Sequence, residues 1–335
     1  MNILFTCAGS RRYLLKYFKE IIGDSGKIVA ADMSMNAPAL TVADVKLQVP
    51  GVYADNYIDV ILELCKLHDI KILISLNDLE LPILSARKDD FKTAGVDVIV
   101  SDPDVIDICF DKYKTAQFIE NIGLKTPKTY IKYNDAVAAI KTGKLNFPLI
   151  IKPRWGSGSI GLEIVDDLEE LEIVYRLDQK KVRKSILATA SSDDDFLLIQ
   201  EVIDGPEYGL DIINDLNKNY RGVSVKQKLS MRAGETDKAI TVDNAKLREI
   251  GSIIGSKLGH VANLDCDVLE KDGEYYVLEL NPRFGGGYPF SHEAGVNVPK
   301  AIVDWVQGKD VEDSLFVPEY GKISSKCDIL LNVGC

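Results

Sequence analysis

Soft metal ligands and redox pairs are scarce in this chain of 335 residues. Its six cysteines, Cys7, Cys65, Cys109, Cys266, Cys327 and Cys335, are scattered, and none stands in a C-x-x-C pair. That spacing excludes a zinc knuckle or a dithiol motif, and the thiols read as small buried hydrophobes. Only three histidines occur, His68, His260 and His292; His292 lies near Arg283 in sequence and reads first as a structural side chain. No apolar run approaches the ~18 residues that span a bilayer. The N-terminal MNILFTCAGSRRYLLKYF has neither a long apolar stretch nor a small-residue cleavage site, so a signal peptide is not expected and the cytoplasm is the expected compartment. Basic charge is also short: 40 Lys and Arg stand against 51 Asp and Glu, a net charge of −11. Such a chain has no electrostatic reason to seek nucleic acid or an anionic membrane, although a local basic pocket for a phosphate stays compatible. Internal repeats and low-complexity tracts are absent from the sequence.

What is present is a globular composition, 46% hydrophobic and 27% charged, enough for two or three domains. Short apolar runs at Asn2–Thr6, Lys27–Asp32, Lys71–Ser75 and Asp97–Val100 read as strands, and helical spacing follows Arg12 and Tyr57. Strands alternating with helices predict a parallel sheet with right-handed crossovers over residues 1–110. A helix over Asp111–Asn121, ended by Gly123, and an α+β unit over Thr129–Gln200 follow, with a polar stretch at Ala190–Asp195. The remainder predicts strands at Tyr208–Asn214 and Gly222–Gln227, a helix over Asn244–Leu258, a hairpin over Leu264–Asn281 and a last helix over Val298–Gln307. The expected units are 1–110, 111–198 and 199–335.

Residues Arg154–Gly161 contain G-x-G-x-x-G, in itself a weak signal. The dinucleotide fingerprint needs the glycines to follow a strand and open a helix. Here Leu149–Pro153 reads as a strand, but Leu162–Val165 reads as another, so the glycines sit at a hairpin tip. At such a tip, backbone N–H groups can approach a phosphate without interference from Cβ atoms. Lys152, just before the loop, can neutralise phosphate charge. The bland alternative is a loose surface hairpin. The first βα turn, Cys7–Arg12, has a single glycine, which disfavours a nicotinamide dinucleotide there; its helix start could still meet an anion, helped by Ser10 and Arg11.

The second constellation is the hairpin. Glu279 and Asn281 are two apart on one strand and share a face, while Leu278 and Leu280 are expected to face the core. Antiparallel pairing brings Asp267 towards Glu279. Two carboxylates and an amide are hard oxygen ligands that suit Mg²⁺ or Mn²⁺. Asp267 and Glu279 share a face only with an odd loop, so a three-residue Asp272–Glu274 turn is expected, with Asp265 opposite Asn281; a two-residue turn needs a bulge to restore the register. Arg283 follows Pro282 and is expected to project into the cleft, its alternative being a structural salt bridge. The Gly285–Gly287 run would let backbone approach a substrate.

Asp111-Lys112, then Ile150–Pro153 with the glycine loop, then Gln200–Tyr208, and finally Leu278–Arg283 stand in the order that resembles the ATP-grasp superfamily over nearly the whole chain, as a single-module relative of the carbamoyl phosphate synthase large chain. The resemblance implies a Rossmann-like parallel sheet, the pre-ATP-grasp unit, followed by a two-subdomain ATP-grasp fold: a lid at 111–198 and a metal-bearing subdomain at 199–335. It implies that Lys112 and Lys152 bind ATP phosphates under a loop containing Gly156, Ser157, Gly158, Ser159 and Gly161. Glu201, Val202 and Ile203 would form the adenine hinge, Glu207 would hold the ribose, and Asp267, Glu279 and Asn281 would be the metal ligands. Arg283, with Lys152, would be catalytic. Lys226, Lys228 and Arg232 stand where further phosphate or substrate contacts are implied, a solvated basic strand being the alternative. The implied activity is an ATP- and Mg-dependent ligase joining a carboxylate to an amine or related nucleophile through an acyl phosphate. An ATP-grasp kinase and a non-catalytic nucleotide-binding module are the rival readings. The expected partners are small molecules, without nucleic acid or membrane, and a homodimer is compatible. Two ATP-driven steps in one chain are not expected from one module.

Overall fold

A computed structural model of the chain describes residues 1–156, 161–183 and 195–333. Ser157, Gly158 and Ser159 of the glycine loop, and Ala190–Asp194 of the polar stretch, lie outside the described residues. Three sheets organise what is described.

The first is parallel, in the order β3-β2-β1-β4-β5. It is built from β1 (Asn2–Thr6), α1 (Arg12–Ile22), β2 (Ile28–Asp32), β3 (Val45–Gln48), α2 (Tyr57–Leu67), β4 (Ile70–Ser75), α3 (Leu81–Ala86), α4 (Lys88–Thr93) and β5 (Asp97–Val98). The central strands are buried on both faces, as a parallel sheet between helices requires. Ile3, Phe5, Ile28 and Ile72 pack to one side with α1 residues Leu14, Leu15 and Phe18. Leu4, Val29 and Leu73 pack to the other, with Ile58 and Ile61 of α2. The order reverses between β1 and β4, so a crevice opens at their carboxyl ends.

Next come α5 (Pro103–Phe110) and α6 (Lys112–Asn121). Asp111 caps α6, accepting from the N–H groups of Tyr113 and Lys114. The second sheet, β6-β9-β7-β8, is antiparallel, with β6 (Thr129–Tyr130), α7 (Tyr133–Lys141), β7 (Leu149–Pro153), β8 (Glu163–Val165), α8 (Leu168–Val182) and β9 (Leu197–Glu201). Leu149, Ile151, Leu197 and Ile199 bury one face against Leu171 and Tyr175 of α8. The other face of β7 carries Lys152.

The third sheet has six antiparallel strands in the order β14-β13-β10-β11-β12-β15. They are β10 (Glu207–Asn214), β11 (Tyr220–Arg232), β12 (Glu235–Thr241), β13 (Ala262–Lys271), β14 (Glu274–Asn281) and β15 (Ile323–Ser325), with α9 (Ala245–Leu258), α10 (Tyr288–Glu293) and α11 (Val298–Val306) around them. Strand alternation sorts its residues in two. Leu210, Ile212, Val223, Val225, Leu264, Cys266, Val268, Val277 and Leu280 form an apolar face packed on α5, α6 and α9. Glu207, Asp211, Lys226, Lys228, Asp265, Asp267 and Glu279 occupy the opposite face, where Asp211 and Lys226 are fully buried. That polar face forms one wall of the site.

Candidate functional site

The hairpin places its acids by a route other than the expected one. Lys271 pairs with Glu274, so the turn has two residues, Asp272 and Gly273, with φ of 54° and 76°. Both angles are positive, the signature of the type I′ turn that Asp-Gly favours. Alone, this turn would set Asp267 opposite Leu278. A β-bulge intervenes: Val268 pairs with Val277, and Asp267 with Glu279. Asp265 then faces Asn281, as expected, but the three-residue loop is corrected to a two-residue turn plus one bulged residue. The bulge also corrects the place of Leu278. Val277 and Leu280 enter the core, and Leu278 stays half-buried outside it.

The carboxylate end of the site is crowded and paired. Lys228 Nζ donates to Glu207 Oε1 and to Asp267 Oδ1, each at 2.7 Å. Burial opposes the charge on Lys228, but Asp267, Glu207 and Asp265 more than offset it and hold the ammonium protonated. Burial, with the charges of Asp265, Glu207 and Glu279, pushes the Asp267 carboxyl well above the usual range, against the pull of Lys228. Glu279 is half-buried, and although burial opposes its charge, Lys112 and Lys152 draw its carboxyl below the ordinary value. Arg283 NH2 donates to Asp78 at 2.8 Å and NH1 to Asp265 at 3.1 Å, while its Nε is buried without a partner. Arg283 therefore forks between the segment after β4 and strand β13, the salt-bridged arrangement weighed above.

The opposite wall carries cations instead. Lys112 Nζ donates to the Gly156 carbonyl and stands 3.7 Å from Glu279 Oε2. Burial, then the like charge of Lys112, push the Lys152 ammonium down to about 8, with Glu279 opposing. The loop base is fixed by Arg154, which donates through Nε and NH2 to both oxygens of Asp111 at 2.8 and 2.6 Å. One carboxylate thus caps α6 and holds the start of the glycine loop. Gly161 closes that loop with φ of 72°. Glu201 ends β9, its N–H donating to the Lys128 carbonyl at 3.0 Å; Val202 is half-buried and Ile203 buried on the way to Glu207.

Other sequence candidates separate here. Lys226 lies in the floor: its Nζ donates to Asp211 at 2.6 Å, and Ser291 Oγ donates to the same oxygen. Arg232 does not join the site; it bridges Asp237 and Asp328 on an exposed strand end. His292 stacks on Tyr17 with ring centroids 3.6 Å apart, tying α10 to α1. Cys65, Cys109 and Cys266 are buried as expected, but Cys327 is exposed. The glycine run approaches the chain's own side chains: an added Cβ would lie 2.1 Å from Asp265 at Gly285, 2.9 Å from Glu235 at Gly286 and 2.7 Å from Lys226 at Gly287. The sequence reading did not single out Asp78, Asp211 or Glu235. Asp78 follows β4 at the mouth of the switch-point crevice, and that position is the one signal that could have found it.

Residues 109–287, more than half of the chain, match the ATP-grasp domain. The chain belongs to the ATP-grasp family. Residues 3–99 match the N-terminal domain of PylC-like proteins. The carbamoyl phosphate synthase large chain of Methanosphaerula palustris is 26% identical over 247 residues, 70% of this chain and 22% of that one. The chain spans about a fifth of that relative's length, which makes it a single-module relative. Among solved structures, the biotin carboxylase of Campylobacter jejuni superposes with a TM-score of 0.74 at 16% identity, covering 95% of this chain and 73% of the other. The L-amino acid ligase of Bacillus licheniformis gives 0.66 at 20% identity, covering 95% and 77%. The ATP-grasp fold accounts for the two walls: the second and third sheets face each other across the cleft that holds Lys112, Lys152, Asp267 and Glu279. No helix among the described residues is long and apolar enough to cross a membrane.

Proposed function

We propose that this ATP-grasp protein is an ATP- and Mg-dependent ligase that activates a small carboxylate as its acyl phosphate and passes it to an amine or related nucleophile. The observation that carries the reading is the opposition of the two walls. Lys112 and Lys152 crowd together with Glu279 as the nearby acid, so a polyanion between them relieves repulsion. Across from them, Asp267 and Glu279 lie side by side on paired strands, with Asn281 two residues on.

The donor set fits a hard divalent cation. Among the described residues no three His, Cys, Asp or Glu side chains form a metal cage. Two carboxylates and an amide leave positions for phosphate and water oxygens, which is how Mg²⁺ is held in phosphoryl-transfer sites. When bound, the ion neutralises phosphate charge and bridges its oxygens. The strained protonation of Asp267 points the same way, since a cation there replaces the proton that burial would otherwise favour.

In this reading Lys112 and Lys152 bind the phosphates, and the Gly156–Gly161 loop covers them, its Ser157, Gly158 and Ser159 supplying backbone and hydroxyl donors. The Glu201–Ile203 segment cradles the adenine. Glu207 has one oxygen engaged by Lys228 and offers the other to the ribose hydroxyls. Arg283, already aligned by Asp78 and Asp265, keeps positive charge beside the transferring group without reorganising. Closure of residues 129–198 over the third sheet excludes water from the activated acyl group. The reaction is tested by following ADP and inorganic phosphate with a small-acid library, with and without amines. A ligase releases both, and hydroxylamine traps the acyl phosphate. ADP release with the phosphate kept on the product would replace the ligase by a kinase, and absence of turnover with intact nucleotide binding would leave a binding module.

A further inference from the structure

The polar face of the third sheet opens into a pocket of about 200 Å³ whose lining runs from the proposed ribose and metal residues Glu207, Asp267 and Glu279 to Arg11, Glu235 and Arg283. Arg11 stands in the turn after β1, at the point where the parallel sheet reverses its strand order. Its NH1 donates to two carbonyls from separate parts of the chain, Leu76 at 2.5 Å after β4 and Phe284 at 3.3 Å after β14. These bonds fix the guanidinium and leave its other edge, Nε with NH2, without a protein acceptor among the described residues. Among the described residues no carboxylate lies within ion-pair distance of Arg11, although Asp78 and Glu235 are near enough to be drawn down by its charge. The other charges of the pocket are engaged: Arg283 by Asp78 and Asp265, Lys228 by Glu207 and Asp267, and Glu235 by Lys326 at 3.1 Å. The amides of the α1 start are not the receptor, because Arg11 and Arg12 donate theirs within the turn.

We propose that Arg11 is the receptor for an anionic group, carboxylate or phosphate, which the substrate carries in addition to the carboxylate that reacts. The inference rests on the ligase reading and narrows its substrate class. A planar guanidinium held by one nitrogen presents its free edge as a two-pronged donor, a geometry that suits both anions. Arg11 lines the same pocket as Asp265, Arg283 and the proposed metal ligands Asp267, Glu279 and Asn281, so an anion on Arg11 shares that pocket with the reacting carboxylate. A small acid with an anion at each end meets both, and a simple monocarboxylate leaves Arg11 unmatched.

The test measures binding rather than turnover. Wild-type protein with Mg-ADP is titrated calorimetrically with succinate beside succinamate, L-aspartate beside L-asparagine, L-glutamate beside L-glutamine, and O-phospho-L-serine beside L-serine. At least one charged member is expected to bind about tenfold or more tightly than its uncharged partner. The pair that discriminates identifies the anion as carboxylate or phosphate. Arg11→Gln is expected to abolish the discrimination, Arg11→Lys to restore part of it, and both variants to keep wild-type melting temperature and Mg-ADP affinity. Equal binding of charged and uncharged partners overturns the proposal, as does the absence of binding by any member or discrimination that survives in Arg11→Gln. Failure of the ligase reading shows separately, as absence of joint ADP and inorganic phosphate release by the wild type with the acid and amine library.

Discussion

The two walls of the cleft solve the problem of buried charge in opposite ways. On the third sheet, Lys228, Arg283, Lys226 and their acids form closed ion pairs at 2.6 to 3.1 Å, each cation meeting at least one carboxylate. On the second sheet, burial and then the like charge of Lys112 on α6 loosen the hold of Lys152 on its proton. A paired wall is rigid and ready before any ligand arrives; an under-compensated wall gains its stability from the ligand. Charge left unmatched in a folded protein therefore marks where something binds, and charge that is matched marks what is held in position.

The largest effects are expected on the under-compensated side. Lys152→Ala should weaken Mg-ATP binding by on the order of 10- to 100-fold in a calorimetric titration, the scale of a lost charge-assisted hydrogen bond. The wild type should also show a pH signature. Below pH 8 Lys152 is already protonated, so binding takes up no proton there. Above about 8 the free lysine is neutral, and binding must return its proton as phosphate draws its affinity back towards the ordinary 10.5. Affinity should then fall by up to about tenfold per pH unit over that window. Lys152→Arg, charged throughout, should flatten the profile; a profile equally steep in both proteins would break the contrast between the walls.

On the paired side the expected losses fall in turnover rather than nucleotide affinity. Asp267→Asn keeps an oxygen at the proposed metal site but removes its charge and one of the two acids on Lys228, and its turnover should drop by more than a factor of about ten at saturating Mg-ATP. Excess magnesium should recover part of that loss, and recovery without added metal would remove Asp267 from the ligand set. Arg283→Lys keeps the charge but cannot span Asp78 and Asp265 together. A slowing of about tenfold, roughly 1.4 kcal/mol, with near-normal Mg-ATP binding is expected; unchanged turnover would reduce Arg283 to a strut. The smallest effect on activity comes from a structural change. Gly287→Ala drives a methyl group against buried Lys226, which Asp211 holds in place. Overpacking of this kind costs about 1–3 kcal/mol, read as a lowered melting midpoint with the Mg-ATP affinity of the folded protein retained.

Much of this was legible in the sequence because period and punctuation are local. Short apolar runs at Asn2–Thr6 and Leu149–Lys152 and the facing residues of Leu264–Asn281 marked strands, and the order of motifs from Lys152 to Arg283 pointed to the family. Strands β3 and β12 went unseen because VKLQ and ETDKAIT carry too few apolar residues to announce a buried face; they form by pairing with strands already in place. The partners of Arg283 were not readable either. Asp78 lies 205 positions away, and no local pattern reports a contact made by the docking of one sheet's edge on another. The turn type was misjudged for a subtler reason. Asp272-Gly273 spells a two-residue turn, but a bulge leaves no mark in composition, so the parity of the hairpin pointed to a longer loop.

That bulge makes the hairpin a counting device. The site needs Asp267 and Glu279 in step, and the chain reaches this with two turn residues and one surplus residue at Leu278. Three turn residues and no surplus would reach the same alignment. With the turn held at two residues, Leu278 is the one residue the alignment does not use. A deletion at Leu278 alone should therefore keep Asp267 opposite Glu279 in an unbulged hairpin, and the same deletion joined to one glycine inserted after Gly273 should keep it too, with a three-residue turn. In related chains, a one-residue gap in this segment would then be silent for the site, and similarity scored residue by residue would count as a loss a residue that the pairing never counted.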